Sequence, residues 1–291
     1  MSSSKMGLLA FAGILAVTAP MFAQTQQSGI EKLKNLRRHS IQDRVRRNVR
    51  NALEDEDAIK ELFTLGERAV PSLIKFLSDS DKERRAGAAR GLAYIENQQG
   101  IQALRNAVTS EKDEETKAEM SCFLAGGLVQ TKSKDDLDFL RSSVQKARFA
   151  DDDEEELPAF CAVLALGMKG GGDSLAILRK IPKDYQIDEI RKAIQWMETK
   201  SAPRQMHPEQ SLSDEGLIKK TVLEGTFFAQ DERSNTSVEQ LTFNSQRNKA
   251  LVSVEIYLGP KSARGYDLIL VKQNGVWRVV GIWFAWFAWV A

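Results

Sequence analysis

Histidine is nearly missing from this chain: His39 and His207 are the only two in 291 residues. Neither lies beside a convincing nucleophile, so catalysis through a histidine general base is not expected. Cysteine is as scarce, with Cys122 and Cys161 alone. Two sulfurs without histidine neighbours supply too few ligands for a metal site, and no cofactor is expected. An excess of either charge is missing too: 41 Lys and Arg stand against 40 Asp and Glu. No global field therefore points to nucleic acid or a strongly acidic partner. Beyond the first segment, no apolar stretch reaches the roughly 20 residues that a membrane-spanning helix needs.

What is present begins with "MSSSKMGLLAFAGILAVTAPMFAQTQQ". One lysine, an apolar run from Met6 to Val17 and the small-residue stretch "APMFA" form a signal-peptide pattern, with cleavage expected after Ala23. Met21 fits the cleavage site imperfectly, which leaves an uncleaved anchor as the alternative. No cysteine follows the run to take a lipid. The expected location is periplasmic or secreted, an oxidising compartment. Cys122 in "EMSCFLAGGL" and Cys161 in "PAFCAVLALG" are then either two buried thiols or a disulfide stapling neighbouring helices.

The middle of the chain repeats. "AVPSLIKFL" (69–77), "GIQALRNAV" (100–108), "DLDFLRSSV" (136–144) and "DSLAILRKI" (173–181) share one apolar pattern, with reference leucines Leu73, Leu104, Leu140 and Leu178 spaced by 31, 36 and 38 residues. The last three follow segments rich in small residues, 84–95, 117–129 and 156–168, where Ala and Gly let helices approach closely. One helical hairpin per period predicts an α-solenoid. Breakers such as "ENQQG" and "KGGG" separate the helices of a hairpin.

This pattern resembles HEAT repeats, in particular the bacterial type related to phycobilin-lyase subunits, over roughly residues 40 to 200. The best stretch is "GERAVPSLIKFLSDSDKERRAGAARGLAYI" (66–95), with Pro71 in a first helical turn. The resemblance implies an inter-repeat ladder in which Asp79 and Asp81 mark the turn and Arg84 or Arg85 supplies the arginine. Lys117 and acidic residues stand at the later arginine positions, so the ladder is expected to be incomplete. The resemblance also implies a protein or peptide partner.

Residues 31–50 carry eight Lys or Arg against two acids, and Ile41, Val45 and Val49 give them one apolar stripe. This reads as an amphipathic capping helix whose basic side is either simply solvated or meets an anionic membrane surface or acidic protein. The run "DDDEEE" (151–156) reads as an exposed loop leading into a helix. The expected division is 1–23 signal peptide, 24–200 helical repeats, 201–213 linker and 214–291 a small α+β domain. In the last, Ser211 is expected to cap a helix over 214–230, followed by strands at 237–244, 249–259, 263–273 and 275–290. Asn274-Gly275 is a type I′ hairpin signal.

Residues 266–283 resemble the closing hairpin of the nuclear transport factor 2-like and cystatin-like superfamily. The resemblance implies one helix on a four-stranded antiparallel sheet, and Glu255, Tyr257, Tyr266 and Asp267 as residues that would line a pocket. The final strand concentrates Trp283, Phe284, Trp286, Phe287 and Trp289. One face, either Trp283 with Phe287 or Phe284 with Trp286, is expected to pack on the domain's own helix. The other needs a second cover, a second copy of the sheet or the solenoid.

Gly172-Asp173-Ser174-Leu175 spells a hydrolase signature but opens a helix inside a repeat, and is read as chance. The fold class expected is thus an α-solenoid of HEAT-like hairpins followed by a small α+β domain. The function expected is an exported, non-catalytic binding scaffold. The alternative is a small-molecule binder or enzyme using the C-terminal pocket.

Overall fold

The computed structural model describes residues 34–35, 37–38, 40–53, 55–130, 132–146, 157–182, 188–199, 213–226, 235–259 and 262–289. The expected signal peptide, the 151–156 acidic run and the linker up to residue 212 lie outside them. The chain divides into two units, Met1–Arg44 and Val45–Ala291. The described residues of the first are helical.

In the second unit, helix starts are fixed by short polar caps. Asp55 accepts from the amides of Asp57 and Ala58 at the start of α1 (Glu56–Leu65), which Gly66 ends at φ 59°. Pro71 occupies the first turn of α2 (Val70–Phe76), where its missing N–H costs nothing. Asp81, Asn97 and Asp113 repeat the same device before α3 (Lys82–Ile95), α4 (Gln98–Ser110) and α5 (Glu114–Gly126), each accepting amide hydrogens of the first turn. The array continues through α6 (Lys134–Lys146), α7 (Leu157–Lys169), α8 (Gly171–Leu178) and α9 (Asp188–Thr199). The four reference leucines are all fully buried.

Helices α3, α5 and α7 pack side by side as one row, and α2 and α4 pack on each other in a neighbouring row. The first row is where the small residues lie. Every residue of α3 from Ala86 to Ile95 is buried, and a Cβ on Gly87 would stand 1.8 Å from the Val49 carbonyl oxygen. Cys122 of α5 and Cys161 of α7 are joined as a disulfide, with Cα atoms 5.2 Å apart.

The C-terminal part begins with α10 (Asp214–Gly225), shorter than the sequence pattern suggests. Its cap is Ser213, whose hydroxyl accepts from Gly216 N at 3.2 Å. Strands β1 (Asn235–Phe243), β2 (Lys249–Gly259), β3 (Ser262–Gln273) and β4 (Val276–Trp289) form an antiparallel sheet in sequence order. Asn274 and Gly275 turn the last hairpin with φ of 51° and 79°, as a type I′ turn requires.

One face of the sheet buries Val252, Val254, Ile256, Tyr266, Leu268 and Leu270, and α10 packs on this side against β1 and β4. Asp214 at the start of α10 accepts from Lys272 Nζ (2.6 Å) and Trp277 Nε1 (3.1 Å). The opposite face, with Ser253, Asp267 and Trp283, lies on the helical array. β4 switches face midway. Ile269 pairs with Gly281 while Leu270 pairs with Val279, so Val280 is an extra residue in the ladder. Without that bulge, strict alternation from Trp277 would put Trp283 on the α10 side.

Candidate functional site

The chemistry-bearing side chains that the fold gathers lie along the seam between the array and the sheet. On α3, Arg90 and Tyr94 are one turn apart on the side facing the sheet. Arg90 is 8 % exposed. Its Nη1 donates to the carbonyls of Ala52 (2.8 Å) and Leu53 (2.7 Å), and its Nη2 to Asp267 Oδ2 (3.2 Å). The Tyr94 hydroxyl donates to the same oxygen at 2.7 Å, and Ser253 Oγ donates to Asp267 Oδ1 at 2.9 Å. Burial opposes the charge on Arg90, but the oxygens of Tyr94 and Asp267 more than offset it and hold its pKa above the ordinary value. Burial also pushes the Tyr94 hydroxyl far above the ordinary tyrosine range. These groups satisfy one another, the condition under which buried polar atoms are tolerated.

Directly across the β3–β4 ladder from Asp267 stands Trp283. Its indole stacks on Tyr94 with ring centroids 4.4 Å apart, and Nε1 donates to the Phe123 carbonyl of α5 at 2.9 Å. Gly126 makes room for it: a Cβ there would lie 2.2 Å from Trp283 Nε1 and 2.3 Å from the Ile282 carbonyl oxygen. Just beyond α5, Gln130 Nε2 donates to the Val279 carbonyl at 2.9 Å. At the far end of α3, Lys249 Nζ of β2 donates to the carbonyls of Ile95 (2.7 Å) and Glu96 (3.2 Å). Glu96 is held at φ 53° beside it, and burial raises its carboxyl to about 7 despite the Lys249 ammonium 3.8 Å away.

The residues expected to line a pocket do not converge. Tyr266 lies on the α10 side, where burial pushes its hydroxyl up to about 12, whereas Asp267 points to the array. Glu255 is half-buried and Tyr257 is 44 % exposed near the end of β2. Adjacent positions on a strand face opposite ways, so Tyr266 and Asp267 cannot serve one cavity. Of the five interface aromatics, Trp283 is covered by the array. Phe284, Trp286 and Phe287 pair with Tyr266, Gly265 and Arg264, and Trp289 with Ser262; the side chains of these four aromatics lie outside the described residues.

The four turn residues do meet, with a division of labour. Arg84 approaches Asp79 (3.6 Å) and Asp81 (3.7 Å) within its own turn. Arg85 reaches forward and grips Glu111 with two bonds of 2.7 and 3.0 Å, while donating to the carbonyls of Asp79 and Ser80. That grip holds the Glu111 carboxyl below its usual range. The longitudinal link is therefore arginine to glutamate, continued by Lys82 to Glu115 and Arg105 to Asp136. Ser174, of the hydrolase-like tetrapeptide, is fully buried on α8.

Arg90, Tyr94 and Ser253 were not signalled by the sequence pattern. The one clue is chemistry in context: Arg90 and Tyr94 stand four apart in a stretch, residues 86–94, otherwise built of alanine, glycine and leucine.

A model of HEAT repeats matches residues 30–121 and again 70–152. Residues 30–152 are thus similar to HEAT repeats, in keeping with the stacked helical hairpins described above, and HEAT proteins as a class serve mainly in protein interaction. No curated protein matches the chain.

Proposed function

We propose that this chain is an exported, non-catalytic scaffold whose HEAT array binds a protein or peptide partner while its C-terminal domain docks on the array. The observation that carries the reading is how the array's surfaces are used. The α3, α5 and α7 row is occupied by the sheet, and α4 on the other row presents Gln98, Gln99, Gln102, Asn106 and Thr109 to solvent. The partner surface belongs to that polar side. Export is supported by the Cys122–Cys161 disulfide, since such bonds persist in oxidising compartments. The likeness to lyase-type HEAT proteins and to the nuclear transport factor 2-like superfamily belongs to the same reading. A homodimer through the sheet would have to leave Trp283 aside, because the array already covers it. Contact of residues 31–50 with an anionic membrane predicts vesicle binding that weakens as salt rises.

Native mass spectrometry of the protein purified gently from its envelope fraction tests the proposal. A second polypeptide at fixed stoichiometry, lost in a Gln102→Glu/Asn106→Glu variant, is the expected result. A bare chain in both preparations would overturn it.

A further inference from the structure

The disulfide lies under the part of the array that carries β4. Cys122 is the neighbour of Phe123, whose carbonyl receives the Trp283 indole, and is one turn from Gly126, which makes room for that ring. Cys161 belongs to α7, which also packs on β4. Two helices therefore make the bed for the last strand, and the bond is the covalent tie between them. It closes a sequence separation of 39 residues that includes α6 and the segment 147–156. The notch at Gly126 and the Phe123 carbonyl both lie on α5, while α7 supports the same strand, so a small shift of α5 relative to α7 carries them out of register with the Trp283 indole. Cys122 is 4 % and Cys161 0 % exposed in the folded chain, so both sulfurs are shut away from solvent.

We propose that oxidation of Cys122 and Cys161 gates the docking of the C-terminal sheet, a device that rests on the export reading above. In a reducing compartment the array carries two thiols, α5 and α7 are held together by packing alone, and Trp283 finds no fixed seat. After export, the two thiols lose two protons and two electrons to a disulfide-bearing oxidant, which leaves as two thiols or a dithiol. The new S–S bond sets the bed, and the sheet closes over α5 and α7.

The test is hydrogen exchange read by mass spectrometry on the full mature chain, in three states: oxidised, refolded with dithiothreitol, and as the Cys122→Ala/Cys161→Ala variant. Expected is exchange at least about tenfold faster in residues 120–130 and 276–283 without the bond, with residues 56–76 unchanged. Oxidised glutathione should restore protection to the reduced wild type but not to the variant. Equal protection in all states would overturn the proposal. So would loss spread evenly through residues 56–76, or a failure to fold, since either makes the bond a general staple. A missing partner in the mass spectrometry above would count against the scaffold and leave these exchange rates standing.

Discussion

Arg90 is a charge taken out of water, and its cost is bearable only while Asp267 and the carbonyls of Ala52 and Leu53 surround it. Asp267→Ala strands that charge, and a loss of about 3–5 kcal/mol of unfolding free energy is expected from denaturant titration. Replacing Arg90 with Met and Asp267 with Leu together should cost less than the sum of the two single changes, a coupling that a double-mutant cycle reads directly. Glu96 behaves oppositely to a paired carboxylate. With its pKa raised from an ordinary 4.5 to about 7, the folded chain keeps a proton that the unfolded chain has released. Stability from this group is full below about pH 4.5 and falls as the pH climbs through 7, by at most roughly 3 kcal/mol. Glu96→Gln should flatten that part of the stability profile; an unchanged slope between pH 5 and 8 would remove Glu96 as its cause.

At the level of elements, close approach is set by glycines. Gly126→Ala puts a methyl into the space of the Trp283 indole and the Ile282 carbonyl. Overpacking of this kind costs about 1–3 kcal/mol, and since a carbonyl cannot rotate away the upper end is expected, measured by thermal unfolding. The helices were legible because the leucine spacing and the small-residue segments are local signals, and the hairpin turn because Asn-Gly demands positive φ; the caps were not, since the one expected, Ser211, gives way to Ser213. The destination of Trp283 was not. A bulge at Val280 reverses the faces of β4 partway along, and nothing in the alternation of apolar residues announces it. The pocket residues failed for a related reason: Tyr266 and Asp267 are neighbours in sequence and so belong to opposite faces. The ladder was legible in its residues but not its pairing, because Glu111 lies in the next unit and no spacing rule selects it over the nearer aspartates.

At the level of the molecule, array and sheet share one body from Val45 to the C-terminus. The seam fastens to α3 through Arg90, Tyr94 and the Lys249 contact, and to α5 through Phe123 and Gln130. Unfolding should accordingly be a single cooperative event. Tryptophan fluorescence, which follows mainly the sheet because four of the five tryptophans lie on β4, and far-ultraviolet dichroism, which follows the helices, should trace one coincident transition. Two separated midpoints would mean that the seam does not couple them.

The sheet rests on successive helices of the same row. A bare solenoid behaves as a spring, since each unit touches only its neighbours and small rotations add up along the stack. A sheet pinned across α3, α5 and α7 is a splint laid along that spring. The coils it spans cannot open or tighten in succession, so the curvature of the opposite surface is fixed before any partner arrives. A partner must then match that surface as it stands, with little ordering left to pay for on the scaffold's side.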